Sequence, residues 1–214
     1  MGKLIKAELA CGITAPLVGY AFIAAALIKA PWFDWSRNAL SDLGIAPGSA
    51  PFFNLGLILA GLLVVAYGHG LAQTLSRRLG KAAGLWLSIA GLALALIGVF
   101  PEDCGDIHYY VSVAFFVNIP LALIALGASL ATQRQRRLGF IVAALALASV
   151  APWLKPWDGV AIPELASSLL ASAAVVTTSA TKLRSNPHSV ANPSSTNAVF
   201  KAVGKALTRG ASHE

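Results

Sequence analysis

The chain has 214 residues, 57% of them hydrophobic and 12% charged, with a formal net charge of +7. A mean hydropathy of +0.70 at a pI near 9.7 excludes an ordinary water-soluble globular domain. A transmembrane barrel is excluded too, because its segments of roughly ten alternating apolar and polar residues are missing.

Crossing a hydrocarbon core as helix takes about 20 apolar residues. Such runs occur near residues 9–29, 52–75, 82–100, 109–131, 138–154 and 160–180. They predict an all-α membrane protein, a six-helix transmembrane bundle over residues 1–181, followed by a basic tail over residues 182–214. The first run follows Lys3 and Lys6 as a signal peptide would. It is about 20 residues long and meets Lys29-Ala30-Pro31-Trp32 instead of a small-residue cleavage site, so it is read as a retained span. Pro16 within it predicts a kink, because proline lacks a backbone donor. His69, near the end of the second run, fits an interface or helix-end residue.

The third run places Gly84, Ser88, Gly91, Ala95 and Gly98 at alternating spacings of four and three. A seam of small residues lets helix backbones approach closely in lipid, so this span is expected at the centre of the bundle. The fourth run carries Asn118, expected to bond across to another helix, and Pro120, a second expected kink. The fifth run is the shortest and ends in Ala151-Pro152-Trp153, which leaves five spans as the fallback. In the tail, Val199, Phe200, Val203 and Leu207 share a helical face with Lys201 and Lys205 off it. That arrangement suits a short helix on an anionic membrane surface, and it suits an unstructured tail equally.

Charge sets the expected orientation. Thirteen of the 16 basic residues fall in the 2–3 and 4–5 loops and at the two ends, and short loops rich in Lys and Arg stay in the cytoplasm. Both termini are therefore expected on the cytoplasmic side of a plasma membrane, with anionic inner-leaflet lipids as partners for the basic side. Nucleic acid is not an expected partner, since the bases lie in short loops without a recognition module. Seven of the nine acids, Asp34, Asp42, Glu102, Asp103, Asp106, Asp158 and Glu164, lie in or beside the other three loops. Cys11 and Cys104 fall on opposite sides and cannot bridge.

Those three outer segments are dense in chemically capable residues. Asn38-Ala39-Leu40-Ser41-Asp42-Leu43-Gly44, the Phe53-Asn54 pair, Gly98-Val99-Phe100-Pro101-Glu102-Asp103 and His108 together resemble an uncharacterised prokaryotic six-helix membrane family catalogued as domain of unknown function 998, over roughly residues 10–180. The resemblance implies the fold and brings no reaction. Relatives often follow the acid of the last loop with a base, whereas Pro163-Glu164-Leu165 keeps the acid alone.

From the residues themselves, two functional readings stand beside a structural one. In the first, an outward-facing polar pocket formed by Arg37, Asn38, Asn54, Glu102 and Glu164 binds a lipid headgroup or small ligand, with Arg37 as the expected partner of Glu164. In the second, the protein is an intramembrane hydrolase of a lipid ester or amide. That enzyme would be serine-type, with Ser41, Asp42, Asp103 and His108, or would use a divalent metal on His108, Glu102 and Asp103. In the structural reading, Ser41 or Asp42 caps a short helix and His108 bonds at the start of span four. A transporter is disfavoured because no inverted repeat and no mid-membrane charge is visible. Haem transfer is disfavoured because paired histidines are missing from the spans.

Overall fold

The computed structural model describes residues 1–184, and among these residues it is all helix and turn. Among the described residues six helical segments are long and apolar enough to cross a membrane, the fifth of them, Arg136–Leu154, made of α5 with the turn that follows it. The helices are α1 (Lys3–Ile28), α2 (Ala50–Thr74), α3 (Arg78–Val99), α4 (Asp106–Thr132), α5 (Arg136–Ala148) and α6 (Ala161–Arg184). The helix proposed around Val199 to Leu207 lies outside the described residues.

Consecutive helices α1 to α5 pack as neighbours, with α2 against both α1 and α3 and α4 against both α3 and α5. Helix α6 returns to the start of the chain. The Ser179 hydroxyl donates to the Leu9 carbonyl at 2.6 Å, and Tyr67 on α2 donates to the Val175 carbonyl at 3.4 Å. The Tyr20 and Ser172 hydroxyls meet at 3.0 Å. Without water to satisfy them, such groups find partners on the neighbouring helix.

The small-residue seam of α3 packs against α2. A Cβ on Gly91 would lie 2.8 Å from the Gly61 carbonyl oxygen and 2.8 Å from the Val65 nitrogen, both backbone atoms. The Ser88 hydroxyl reaches across the same contact to the Val65 carbonyl at 3.0 Å. The expected bond of Asn118 also forms: its Oδ1 accepts from Trp86 Nε1 at 2.7 Å.

Helices α1 and α4 continue through Pro16 and Pro120. The fifth span, the shortest as expected, is α5 followed by a 3-10 turn, Ala151–Leu154, which carries Pro152 near its start. Just before that turn the Ser149 hydroxyl bonds back to the Ala146 carbonyl at 2.7 Å.

The loops α1–α2, α3–α4 and α5–α6 lie at one end of the bundle. Exposed Trp32, Trp35, Tyr109, Tyr110 and Trp153 gather there, the two tyrosines at 63% and 67% exposure. Aromatic side chains concentrate where a bilayer meets water, so this girdle marks an interfacial depth for the three loops.

Candidate functional site

Backbone geometry of the α1–α2 loop places the first carboxylate. The chain passes through a 3-10 turn, Leu40–Gly44, and Asp42 accepts the Ala39 amide at 3.1 Å and the Asn38 side-chain amide at 2.6 Å. Asp42 thus caps its own turn, as the structural reading expected. Asn38 Oδ1 in turn accepts the Asp34 amide at 2.9 Å. Asn54 ties the loop to α2 by donating to the Gly44 carbonyl at 2.9 Å, and its Oδ1 is buried without a partner.

The α5–α6 loop closes on this turn. The Ala161 amide donates to the Asn38 carbonyl at 2.9 Å, and Glu164 Oε2 accepts the Leu40 amide at 2.7 Å. Gly159 makes the approach possible, because a Cβ there would overlap the Arg37 carbonyl group. The expected Arg37–Glu164 ion pair does not form. Arg37 turns its backbone to Gly159 and its side chain, 83% exposed, to solvent, where Asp34 lies 3.8 Å away. What reaches Glu164 is a peptide amide.

Glu102 follows α3 in a second 3-10 turn, Glu102–Cys104. Its carboxyl neighbours Asp42, Ser41 and His108, and its Oε2 is buried without a hydrogen-bond partner. Burial, and then the Asp42 carboxylate beside it, push its proton affinity above the ordinary carboxylic range, while Ser41 and His108 offset part of that. The folded state therefore binds the Glu102 proton more tightly than the unfolded chain does. Stability from this group is complete below its ordinary value near 4.5 and is lost as pH rises through its higher folded value. Glu102→Gln is expected to flatten that slope and to leave the melting temperature at pH 8 equal to or above wild type. A wild-type slope in the variant, read by melting between pH 4.5 and pH 8, would contradict it.

His108 sits in the first turn of α4, buried, with Nδ1 2.8 Å from the Phe100 carbonyl and Nε2 3.3 Å from the Ser112 hydroxyl. The turn that brings it back over Phe100 passes through Gly105 at φ 62°, the left-handed region that glycine enters freely. A carbonyl only accepts, so Nδ1 carries the hydrogen and Nε2 of the neutral ring is the acceptor. Neither ring nitrogen bonds Ser41 or a carboxylate. Asp103 is exposed. Among the described residues no three His, Cys, Asp or Glu side chains gather as metal ligands.

Beneath the polar turns lies a cavity of about 120 Å³. Its walls come from α1, α2, α3, α4 and α6 and are apolar except for Ser41, Glu164, Ser112, Tyr20, Ser168 and Ser172. The structure thus brings together Ser41, Asp42, Glu102, Glu164 and His108, with Asn38 holding Asp42. It leaves Arg37 and Asp103 outside.

Ser112 was missed from sequence, where its i+4 spacing from His108 was the available signal. The fold and these loops define a multi-pass α-helical membrane protein with a cluster of polar side chains at one end. Residues 13–181 match the family model described as "Protein of unknown function (DUF998)", and the chain belongs to that family. No curated protein and no solved structure matches it.

Proposed function

We propose that the protein binds an amphipathic, lipid-like molecule whose apolar end enters the interior cavity and whose hydrogen-bonding end meets Ser41 and Glu164. The observation that carries this reading is the cavity itself. It is apolar along α1, α2, α3, α4 and α6, and Ser41 and Glu164 are part of its lining. A dry apolar cavity of about 150 Å³ takes a benzene-sized guest. About 120 Å³ therefore suits one ring or the terminal carbons of a chain, with the rest of the molecule outside. Predominantly apolar pockets with a few convergent polar groups are the usual form of small-molecule sites.

In this reading both termini face the cytoplasm, the basic tail meets anionic lipids, and the carboxylate end faces outward across the plasma membrane. The fall of 13 of the 16 basic residues in the 2–3 and 4–5 loops and at the two ends of the sequence supports it. The test is photolabelling in nanodiscs with a long-chain alcohol bearing a terminal diazirine. Adducts are expected on the cavity-facing Leu57, Ala60 and Ile119, and Ala60→Phe should lower them about tenfold, equivalent to about 1.4 kcal/mol of binding. Adducts confined to the exposed Leu62 and Leu92, unchanged by Ala60→Phe, would overturn the reading.

A further inference from the structure

The histidine that opens α4 is arranged as a base for a serine. We propose that Ser112 and His108 form a nucleophile–base dyad that cleaves the ester of an acyl chain held in the cavity. The acyl position rests on the binding reading above.

Three observations carry it. Ser112 Oγ lies 3.3 Å from His108 Nε2, and such bonds are commonly loose before substrate arrives. The Phe100 carbonyl, 2.8 Å from Nδ1, holds the tautomer in which Nε2 is free to accept a proton. Ser112 also lines the cavity, whereas His108 stands behind it and does not. A nucleophile bonded to a base, with the base oriented by a third group, is the arrangement that activates a hydroxyl. Here the orienting group is a peptide carbonyl instead of a carboxylate. Glu102 lies close enough to His108 for the ring to offset part of the rise in its proton affinity, so the imidazolium that forms during attack has a carboxyl group beside it.

The chemistry closes with water alone. Ser112 Oγ attacks the ester carbonyl carbon as its proton passes to His108 Nε2, and the carbonyl electrons move onto oxygen. Collapse of the adduct breaks the bond to the alkoxy group, which leaves as the alcohol with the proton from Nε2. A water molecule then attacks the acyl-Ser112 ester, again losing its proton to Nε2. That proton returns to Ser112 Oγ as the carboxylic acid departs. The girdle of Trp32, Tyr109 and Tyr110 places this step where water and lipid meet.

The dyad is distinct from the pairing of Ser41 with His108 that sequence suggested. Its substrate class is an acyl ester of an amphiphile whose chain end fits the cavity.

The experiment treats the full-length protein in nanodiscs with a long-alkyl fluorophosphonate, which bonds only activated serines. The expected result is one adduct, mapped to Ser112, and a labelling rate at least about 100-fold lower in His108→Gln, the lower end of what a general base contributes. Mapping uses the wild-type chain, so it holds whether or not the variant folds. An adduct on any other serine, or none while the diazirine alcohol still labels the cavity, overturns the dyad and leaves the binding reading standing. Labelling of Ser112 without interior diazirine adducts keeps the dyad and removes the cavity as the seat of the chain. Equal labelling rates in wild type and a normally melting His108→Gln also overturn the dyad.

Discussion

Gly91→Val is expected to cost the folded protein about 3 kcal/mol or more, the upper range for overpacking a close contact. The added Cβ would stand 2.8 Å from two backbone atoms of α2 and 2.9 Å from Val64 Cβ. None of these is the yielding end of a flexible side chain, so α2 and α3 must separate along the seam. Helices in lipid gain no hydrophobic drive from each other and depend on close dispersion contact, which falls off steeply with a gap of even half an ångström to an ångström. The melting temperature and monodisperse yield of detergent-solubilised protein report this loss. Gly19→Ala is the control. Its Cβ would meet only Ala60 Cβ, at 3.4 Å, an ordinary contact. Relieving a helical glycine is worth up to about 1 kcal/mol, so this variant should melt at or above wild type. Equal losses in the two variants would refute the seam as the main packing contact.

The second large effect is expected at Glu164. Glu164→Ala removes the acceptor of the Leu40 amide, and Leu40 is 6% exposed. A buried N–H left without a partner costs about 1–3 kcal/mol. Glu164→Gln retains a side-chain oxygen at the same reach and should recover most of that loss. Melting of the two variants separates the roles: recovery in Gln assigns the loss to the hydrogen bond, and equal loss in both assigns it to the carboxylate itself. Diazirine labelling of the cavity should fall in Glu164→Ala in either case, because its polar end is gone.

Much of the bundle was legible because each signal was one-dimensional. Apolar runs set the spans, and the spacing of Gly84, Ser88 and Gly91 set a face. Asn118 in an apolar run needed a partner somewhere, and Trp86 supplies it. The end of span five was less legible, since Pro152 allows either a helix stop or a 3-10 continuation. Within the site, sequence put Ser41, Asp42, Glu102, Glu164 and His108 in or beside loops on one side of the bundle and left their convergence open. It failed on pairings. Arg37 seemed the natural partner for Glu164 on charge alone, yet the carboxylate bonds a peptide amide, a donor that every residue but proline carries and no pattern reveals. His108 was matched to the conspicuous serine of the motif, whereas it bonds Ser112 one turn along its own helix and the carbonyl of Phe100. A serine inside an apolar span looks like any other small residue until the histidine's tautomer is fixed from the far side.

The bonds from Leu40 to Glu164 and from Ala161 to Asn38 join segments more than a hundred residues apart, and this sets an order of events during synthesis. Five helices can insert and pair with their chain neighbours while the Asn38–Asp42 turn is already built from local contacts. The cavity at that stage lacks the wall that α6 provides. Only when the last helix enters does Gly159 settle against the Arg37 carbonyl and Glu164 take the Leu40 amide. A ribosome stalled before that point carries a membrane-inserted chain with an open side. The site therefore cannot close until α6 has been made and inserted.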